Sequence, residues 1–147
     1  MNKIHKTAII EGDVELGDKI GISAYAVLRG DEGKIKVGSR SNIQEHCVLH
    51  GKGVSIGDSV TIGHGAILHG CKIGSNVLVG MGAIVMDGAE ISNWCIIGAG
   101  AVVTPGTKIE SGSLAVGLPA KVLRKITEED RKLIIESAEN YLKKLKG

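Results

Sequence analysis

The stretch Ile56-Gly57-Asp58-Ser59-Val60-Thr61-Ile62-Gly63-His64-Gly65-Ala66-Ile67-Leu68-His69 carries an aliphatic residue at every sixth position, at Ile56, Ile62 and Leu68. The same step continues in both directions. Toward the N-terminus it gives Ile4, Ile10, Leu16, Ile22 and Leu28, and then Val37, Ile43 and Leu49. Toward the C-terminus it gives Ile73, Val79, Val85, Ile91, Ile97, Val103 and Ile109. An amphipathic helix repeats its apolar positions every three or four residues, and a half-buried strand every two. A step of six held from Ile4 to Ile109 fits neither. It reads as a solenoid of short parallel strands.

The position four after each aliphatic anchor is also restricted. It holds Ala8, Val14, Ile20, Ala26, Ser41, Cys47, Val60, Ala66, Val77, Ala83, Ala89, Cys95 and Ala101, all small or β-branched. Residues two apart in a strand point the same way. Each anchor and the residue two before it therefore share one inward face, and the interior must be narrow. That accounts for the absence of Phe and for one Trp and two Tyr in 147 residues. Many of the 22 glycines follow anchors, as Gly17, Gly38, Gly57, Gly63, Gly74, Gly80 and Gly98 do, so they belong to the repeat and not to a linker or phosphate loop. In known hexapeptide solenoids three hexads make one triangular turn, turns stack about 4.8 Å apart, and the winding is left-handed, against the usual crossover rule. The expected fold is all-β over residues 1–120: a left-handed parallel β-helix.

Residues 121–147 depart from the hexad. Pro119 lies in the connection. Thr127 with Asp130 resembles a capping box, and Glu128, Glu129 and Asp130 favour a helix N-terminus. Leu133, Ile134, Ala138, Tyr141, Leu142 and Leu145 form an apolar stripe. The expectation is a C-terminal α-helix packed back along the solenoid. Net charge is +2, from 18 basic and 16 acidic residues interspersed along the chain. Without a basic stripe and interleaved aromatics, nucleic acid is not an expected partner. Without a long apolar run, neither is a membrane, and a cytoplasmic setting is expected. Cys47 and Cys95 fall at the small inward phase and read as buried thiols. Cys71 follows His69 by two and is a minor candidate for a metal contact.

The repeat also places the histidines. Arg29 follows the anchor Leu28, His50 follows Leu49 and His69 follows Leu68, each one turn beyond the last. These three residues should stack on one outward face. Two imidazoles on strands about 5 Å apart can share a metal ion at ordinary zinc–nitrogen distances of about 2.0–2.1 Å. His64 is two residues after Ile62, around a corner of the prism. One chain then supplies two ligands to one site and a third to another, and a second subunit closes the set. Three-fold symmetry would generate three equal sites. Three neutral nitrogens with an open fourth position are a catalytic zinc pattern. His5 is expected to be solvated and His46 structural or solvated.

At these residues the chain resembles the γ-class carbonic anhydrases, in their short-loop form. The resemblance is carried by Leu28-Arg29-Gly30-Asp31, by Ser41-Asn42-Ile43-Gln44-Glu45 leading to Val48-Leu49-His50, by Gly63-His64 and by Leu68-His69-Gly70. It implies a homotrimer with a metal between subunits, Zn2+ or natively Fe2+ or Co2+, held by His50, His69 and the next subunit's copy of His64. It implies reversible hydration of CO2 to bicarbonate by a metal-bound hydroxide. Gln44 matches the glutamine that orients the attacking water, and Asn42 the asparagine that positions that glutamine. Arg29 and Asp31 match a pair that bridges subunits, and Glu32 an acidic residue that helps move protons. Two features of long-loop members are absent. The stretch His50-Gly51-Lys52-Gly53-Val54 is too short for an acidic shuttle loop, and Ser113-Leu114-Ala115 lacks a site tyrosine. Both imply weak turnover with the ligands intact.

Three other functions share this scaffold. A hexapeptide-repeat acyltransferase would use one histidine as a base and usually carries a protruding loop, for which the chain has no insertion. A metal-binding assembly subunit would retain the ligands without turnover. A related metal-dependent hydrolase would direct the same activated water at another carbonyl.

Overall fold

The computed structural model describes residues 1–146, and side chains through Leu145. Gly147 and the Lys146 side chain, at the end of the expected tail, lie outside the described residues. Among the described residues eighteen short strands follow one another with connections of two to four residues, and one helix, α1 (Glu128–Lys146), comes after them. The strands wind into a parallel β-helix of about six turns.

The hexad anchors stack in register on three walls. On the first wall Ile4, Ile22, Ile43, Ile62, Val79 and Ile97 pair in succession. On the second, Ile10, Leu28, Leu49, Leu68, Val85 and Val103 do so. On the third the series is Leu16, Val37, Ile56, Ile73, Ile91 and Ile109. Two long strands, Ile9–Leu16 and Val27–Val37, run around the corner between the second and third walls and join them into one sheet. The connection expected after residue 120 contains a strand, Lys121–Lys125. It pairs antiparallel with Ser113–Val116 and closes the end of the first wall.

Anchors and their small partners fill the interior: Leu28, Leu49, Leu68, Ala26, Cys47 and Ala66 are fully buried. Ile4 is 42% exposed, because no turn lies beneath the first. Cys71, two before Ile73, also points inward and is buried. The one irregular corner lies between the second and third walls. There the anchor step is nine residues from Leu28 to Val37, seven from Leu49 to Ile56 and five from Leu68 to Ile73.

Helix α1 begins with a reciprocal cap. The Thr127 amide donates to Asp130 Oδ2 (2.8 Å) and the Asp130 amide donates to Thr127 Oγ1 (3.2 Å). Arg124 Nη1 donates to the same carboxylate at 2.6 Å. The helix packs on the first wall, against Gly21–Ile22 and Thr61–Ile62. Ile134 and Ala138 are buried and Tyr141, Leu142 and Leu145 are half-buried. Leu133 was expected in this stripe but is 49% exposed. At 100° per residue it falls one step off the line that Ile134, Ala138, Tyr141 and Leu145 make at i, i+4, i+7 and i+11. Arg131 anchors the first turns of the helix over the Trp94 ring, 4.6 Å from its centroid.

The Arg124 guanidinium, then the Thr127 amide, hold the Asp130 carboxyl at about 2, below its ordinary 3.8. A folded-state value below the unfolded one contributes stability above about pH 4. That contribution is lost as the pH falls through about 2. Asp130→Asn should therefore lower stability at pH 7, and the gap from wild type should shrink toward pH 2.5. Urea unfolding of both proteins across this range checks it; a gap independent of pH would contradict the cap's role.

Candidate metal centre

His50 and His69 pair directly across adjacent strands, Val48–His50 and Ile67–His69. Their anchors Leu49 and Leu68 point inward, so both imidazoles stand on the outer face of the second wall. The ring centroids are 5.2 Å apart with the planes inclined by 68°. Arg29 occupies the same outward phase on Val27–Val37, with Glu11 beneath it. The stack expected for Arg29, His50 and His69 is thus present.

The long corner after Leu28 folds Asp31 and Glu32 toward this pair. Arg29 Nη2 donates to Asp31 Oδ2 at 2.9 Å, and Asp31 Oδ1 lies 3.0 Å from His50 Nε2. Glu32 Oε1 is 3.7 Å from the same nitrogen. The hydrogen bond from Arg29 draws the Asp31 carboxyl below its usual range, and Asp31 in turn raises Arg29. Arg29, Asp31 and Glu32 therefore form one charged cluster around His50. His69 makes its own carboxylate contact, through Nδ1 to Asp87 Oδ1.

Asn42 and Gln44 lie on the first wall and are buried. Gln44 Nε2 donates to Asn42 Oδ1 (3.2 Å), and Asn42 Nδ2 donates to Thr61 Oγ1 (3.0 Å). Both amide nitrogens donate within this chain, and Gln44 Oε1 is left as the group able to accept. His64 follows Thr61–Ile62 at the corner turn, with Nδ1 3.0 Å from Glu45 Oε1. Glu45 Oε1 is itself sealed from solvent and makes no hydrogen bond, so its contact with the imidazole is one of proximity. His64 lies near Gln44 in a cavity of about 470 Å3 between the first wall and α1, lined also by Thr61, Met81 and Tyr141.

A single chain brings together His50 with His69, and separately Gln44 with His64. Among the described residues no three His, Cys, Asp or Glu side chains converge as a metal cage within one chain. The donor chemistry suits a shared site. Each of the three imidazoles has one nitrogen against a carboxylate, which leaves the second nitrogen for a metal: Nε2 of His64 and His69, and Nδ1 of His50. Cys71 is removed from the candidates, because its place two before Ile73 turns it into the core; burial raises its thiol to about 12. His5 bonds Thr7 Oγ1 at 2.8 Å, and His46 stacks on Tyr25 with centroids 5.4 Å apart. Glu45, Thr61 and Asp87 were not assigned from the sequence. The hexad held the signal for Asp87, since pairing Leu68 with Val85 sets Asp87 over Gly70.

The family model described as bacterial transferase hexapeptide (six repeats) matches residues 70–105. The chain is 51% identical to a probable carbonic anhydrase of Methanocaldococcus jannaschii, over 96% of this chain and 91% of that protein. It is 41% identical to the mitochondrial gamma carbonic anhydrase 2 of Arabidopsis thaliana, over 92% of this chain and 52% of that one. The chain belongs to the γ-class carbonic anhydrase family. A crystal structure of a hexapeptide transferase family protein from Anaplasma phagocytophilum superposes with a TM-score of 0.89 at 44% identity, covering 97% of this chain and 89% of that one. Among the described residues no connection between strands is longer than four residues.

The three buried cysteines are unpaired. Burial pushes Cys47 to about 11 and raises Cys95. All three thiols should resist a thiol-specific reagent at pH 8 in the folded protein and react fully in denaturant. Rapid native labelling of Cys71 would contradict its inward placement.

Proposed function

We propose that this chain is a metal-dependent γ-class carbonic anhydrase, a homotrimer that interconverts CO2 and bicarbonate at its subunit interfaces. His50 and His69 of one subunit and His64 of the next would hold the metal. Three imidazoles suit Zn2+, and Fe2+ and Co2+ bind the same donors.

The observation that carries this reading is the surface around the His50–His69 pair. Ile9, Val27, Val48, Ile67, Ile84 and Val102 stack in register beside it, all on the outside. Ile9 is 46% and Ile67 37% exposed. A contiguous apolar row of this kind marks an interaction surface. A second copy covering it with its His64 wall would supply both the apolar contact and the third imidazole. The free, buried thiols suit a reducing compartment, and a cytoplasmic setting is part of the proposal. No helix among the described residues is long and apolar enough to cross a membrane.

A bound divalent metal would supply Lewis-acid activation of water near neutral pH. The chain's own groups would do the rest. Gln44 Oε1, left free because its amide nitrogen is committed to Asn42, would accept a hydrogen bond from the attacking water and fix its orientation. Thr61 and Asn42 hold that glutamine in its rotamer. Arg29, tied to Asp31, would present positive charge to the departing bicarbonate. Glu32, half-exposed beside His50, would pass the released proton to buffer.

Stopped-flow CO2 hydration tests the reading, with protein purified anaerobically and loaded separately with Fe2+, Co2+ and Zn2+. Rates well above buffer in a loaded form are expected. Full occupancy without turnover in any form would move the chain to a related hydrolase or an assembly subunit, and saturable acetyl-CoA binding to an acyltransferase. His69→Ala should lose the metal. Gln44→Ala should keep it and lower kcat by about 10–100-fold. Full metal content in the first variant, or an unchanged rate in the second, would remove that residue from the site.

A further inference from the structure

Asp87 belongs to none of the sequence motifs, yet its carboxylate meets His69 Nδ1. Three features build that contact. The backbone of Asp87 is pinned on both sides: the Gly88 amide donates to Gly70 O (2.8 Å) and the Gly106 amide donates to Asp87 O (2.9 Å). The residue directly beneath is Gly70, at φ +58; a Cβ there would crowd the Asp87 carboxyl atoms at 3.2–3.4 Å. The imidazole itself lies over Gly51, at φ +106, where a Cβ would meet His69 Nδ1 at 2.9 Å and Cε1 at 3.0 Å. Two missing side chains thus make room for one ring and one carboxylate. Among the described residues Asp87 pairs with no lysine or arginine, so its charge is directed at His69 alone.

We infer that Asp87 is a positioning residue for metal binding: it accepts a hydrogen bond from Nδ1–H of His69 and so presents the Nε2 lone pair to the metal. The inference rests on His69 being a ligand. A carboxylate behind a ligating imidazole fixes the tautomer, limits ring rotation and makes the donor nitrogen more basic. Asp31 differs, since it divides its charge between Arg29 and His50. Asp87, like Glu45 at His64, has an imidazole as its only ion-pair partner among the described residues.

The test is Zn2+ affinity by chelator competition on the wild type, Asp87→Ala, Asp87→Asn, Asp87→Glu and His69→Ala, with thermal stability of each metal-free protein measured alongside. Asp87→Ala should weaken Zn2+ by about 10–100-fold, Asp87→Asn by less, and Asp87→Glu should restore most of the affinity. A merely structural role would lower thermal stability and leave affinity unchanged. Folded Asp87→Ala or Asp87→Asn binding Zn2+ within twofold of wild type would overturn the inference. Imidazole nitrogen NMR of the metal-free wild type reads the same contact without metal: His69, assigned by its loss in His69→Ala, should be the Nδ1–H tautomer. Finding the Nε2–H tautomer would also overturn it. Unchanged Zn2+ affinity in His69→Ala would sink the ligand assignment itself. A lost site there beside an unaffected Asp87→Ala would sink only the positioning role.

Discussion

Each inward side chain in this fold rests on its own counterpart one turn above and one turn below, and everything outside depends on that stacking. The backbone ladders fix neighbouring turns about 4.8 Å apart, and three walls leave room between them only for aliphatic and small residues. Leu28, Leu49 and Leu68 are fully buried and in register. The residue after each is thereby aligned on the outside. A slip of one residue would turn the whole row inward, so the same packing that excludes water from the core also aligns His50 with His69.

The exception to the hexad is where the chemistry gathers. Two corners keep a regular step. The corner between the second and third walls takes nine, then seven, then five residues on successive turns. The extra length after Leu28 lifts Asp31 and Glu32 out of the prism and back over His50. The shortened step after Leu68 draws Cys71 into the core and brings Gly70 under Asp87. Regular walls set the spacing of the imidazoles, and the corner between the second and third walls sets which carboxylates face His50 and His69. Carboxylates reach every candidate ligand: Asp31 at His50, Glu45 at His64 and Asp87 at His69. Groups held this way lose little freedom when a ligand arrives, which is the physical content of preorganisation.

Much of this was legible in the sequence because the solenoid converts spacing into position. The period gave the walls, the inward residues and the His50–His69 pair, while Thr127 and Asp130 gave the start of α1. What was illegible has specific causes. Leu133 sits one residue off the packing line, and apolar content alone does not give helical phase. The strand Lys121–Lys125 runs antiparallel and outside the hexad, so the repeat carried no signal for it. Cys71 was judged by its nearness to His69, whereas its distance from Ile73 decides its direction. Asp87 and Thr61 are separated in sequence from the residues they hold, and their partners emerge only when turns are laid on one another.

The rigidity that aligns His50 and His69 also keeps His64 from joining them. His64 stands on another corner of the prism, with Nδ1 3.0 Å from Glu45 Oε1. No hinge in a two- to four-residue connection could swing it across a wall. A three-imidazole site in such a scaffold therefore has to be assembled between copies. In the proposed trimer, metal binding and subunit association would be linked equilibria, each favouring the other. There the apolar row beside the histidines would give association a contribution that does not depend on metal, so the copies could meet before the ion does. A trimer formed that way would present three partly ordered sites whose imidazoles already face their carboxylates. The metal would then be recognised by an assembled interface and not by any surface a free chain possesses.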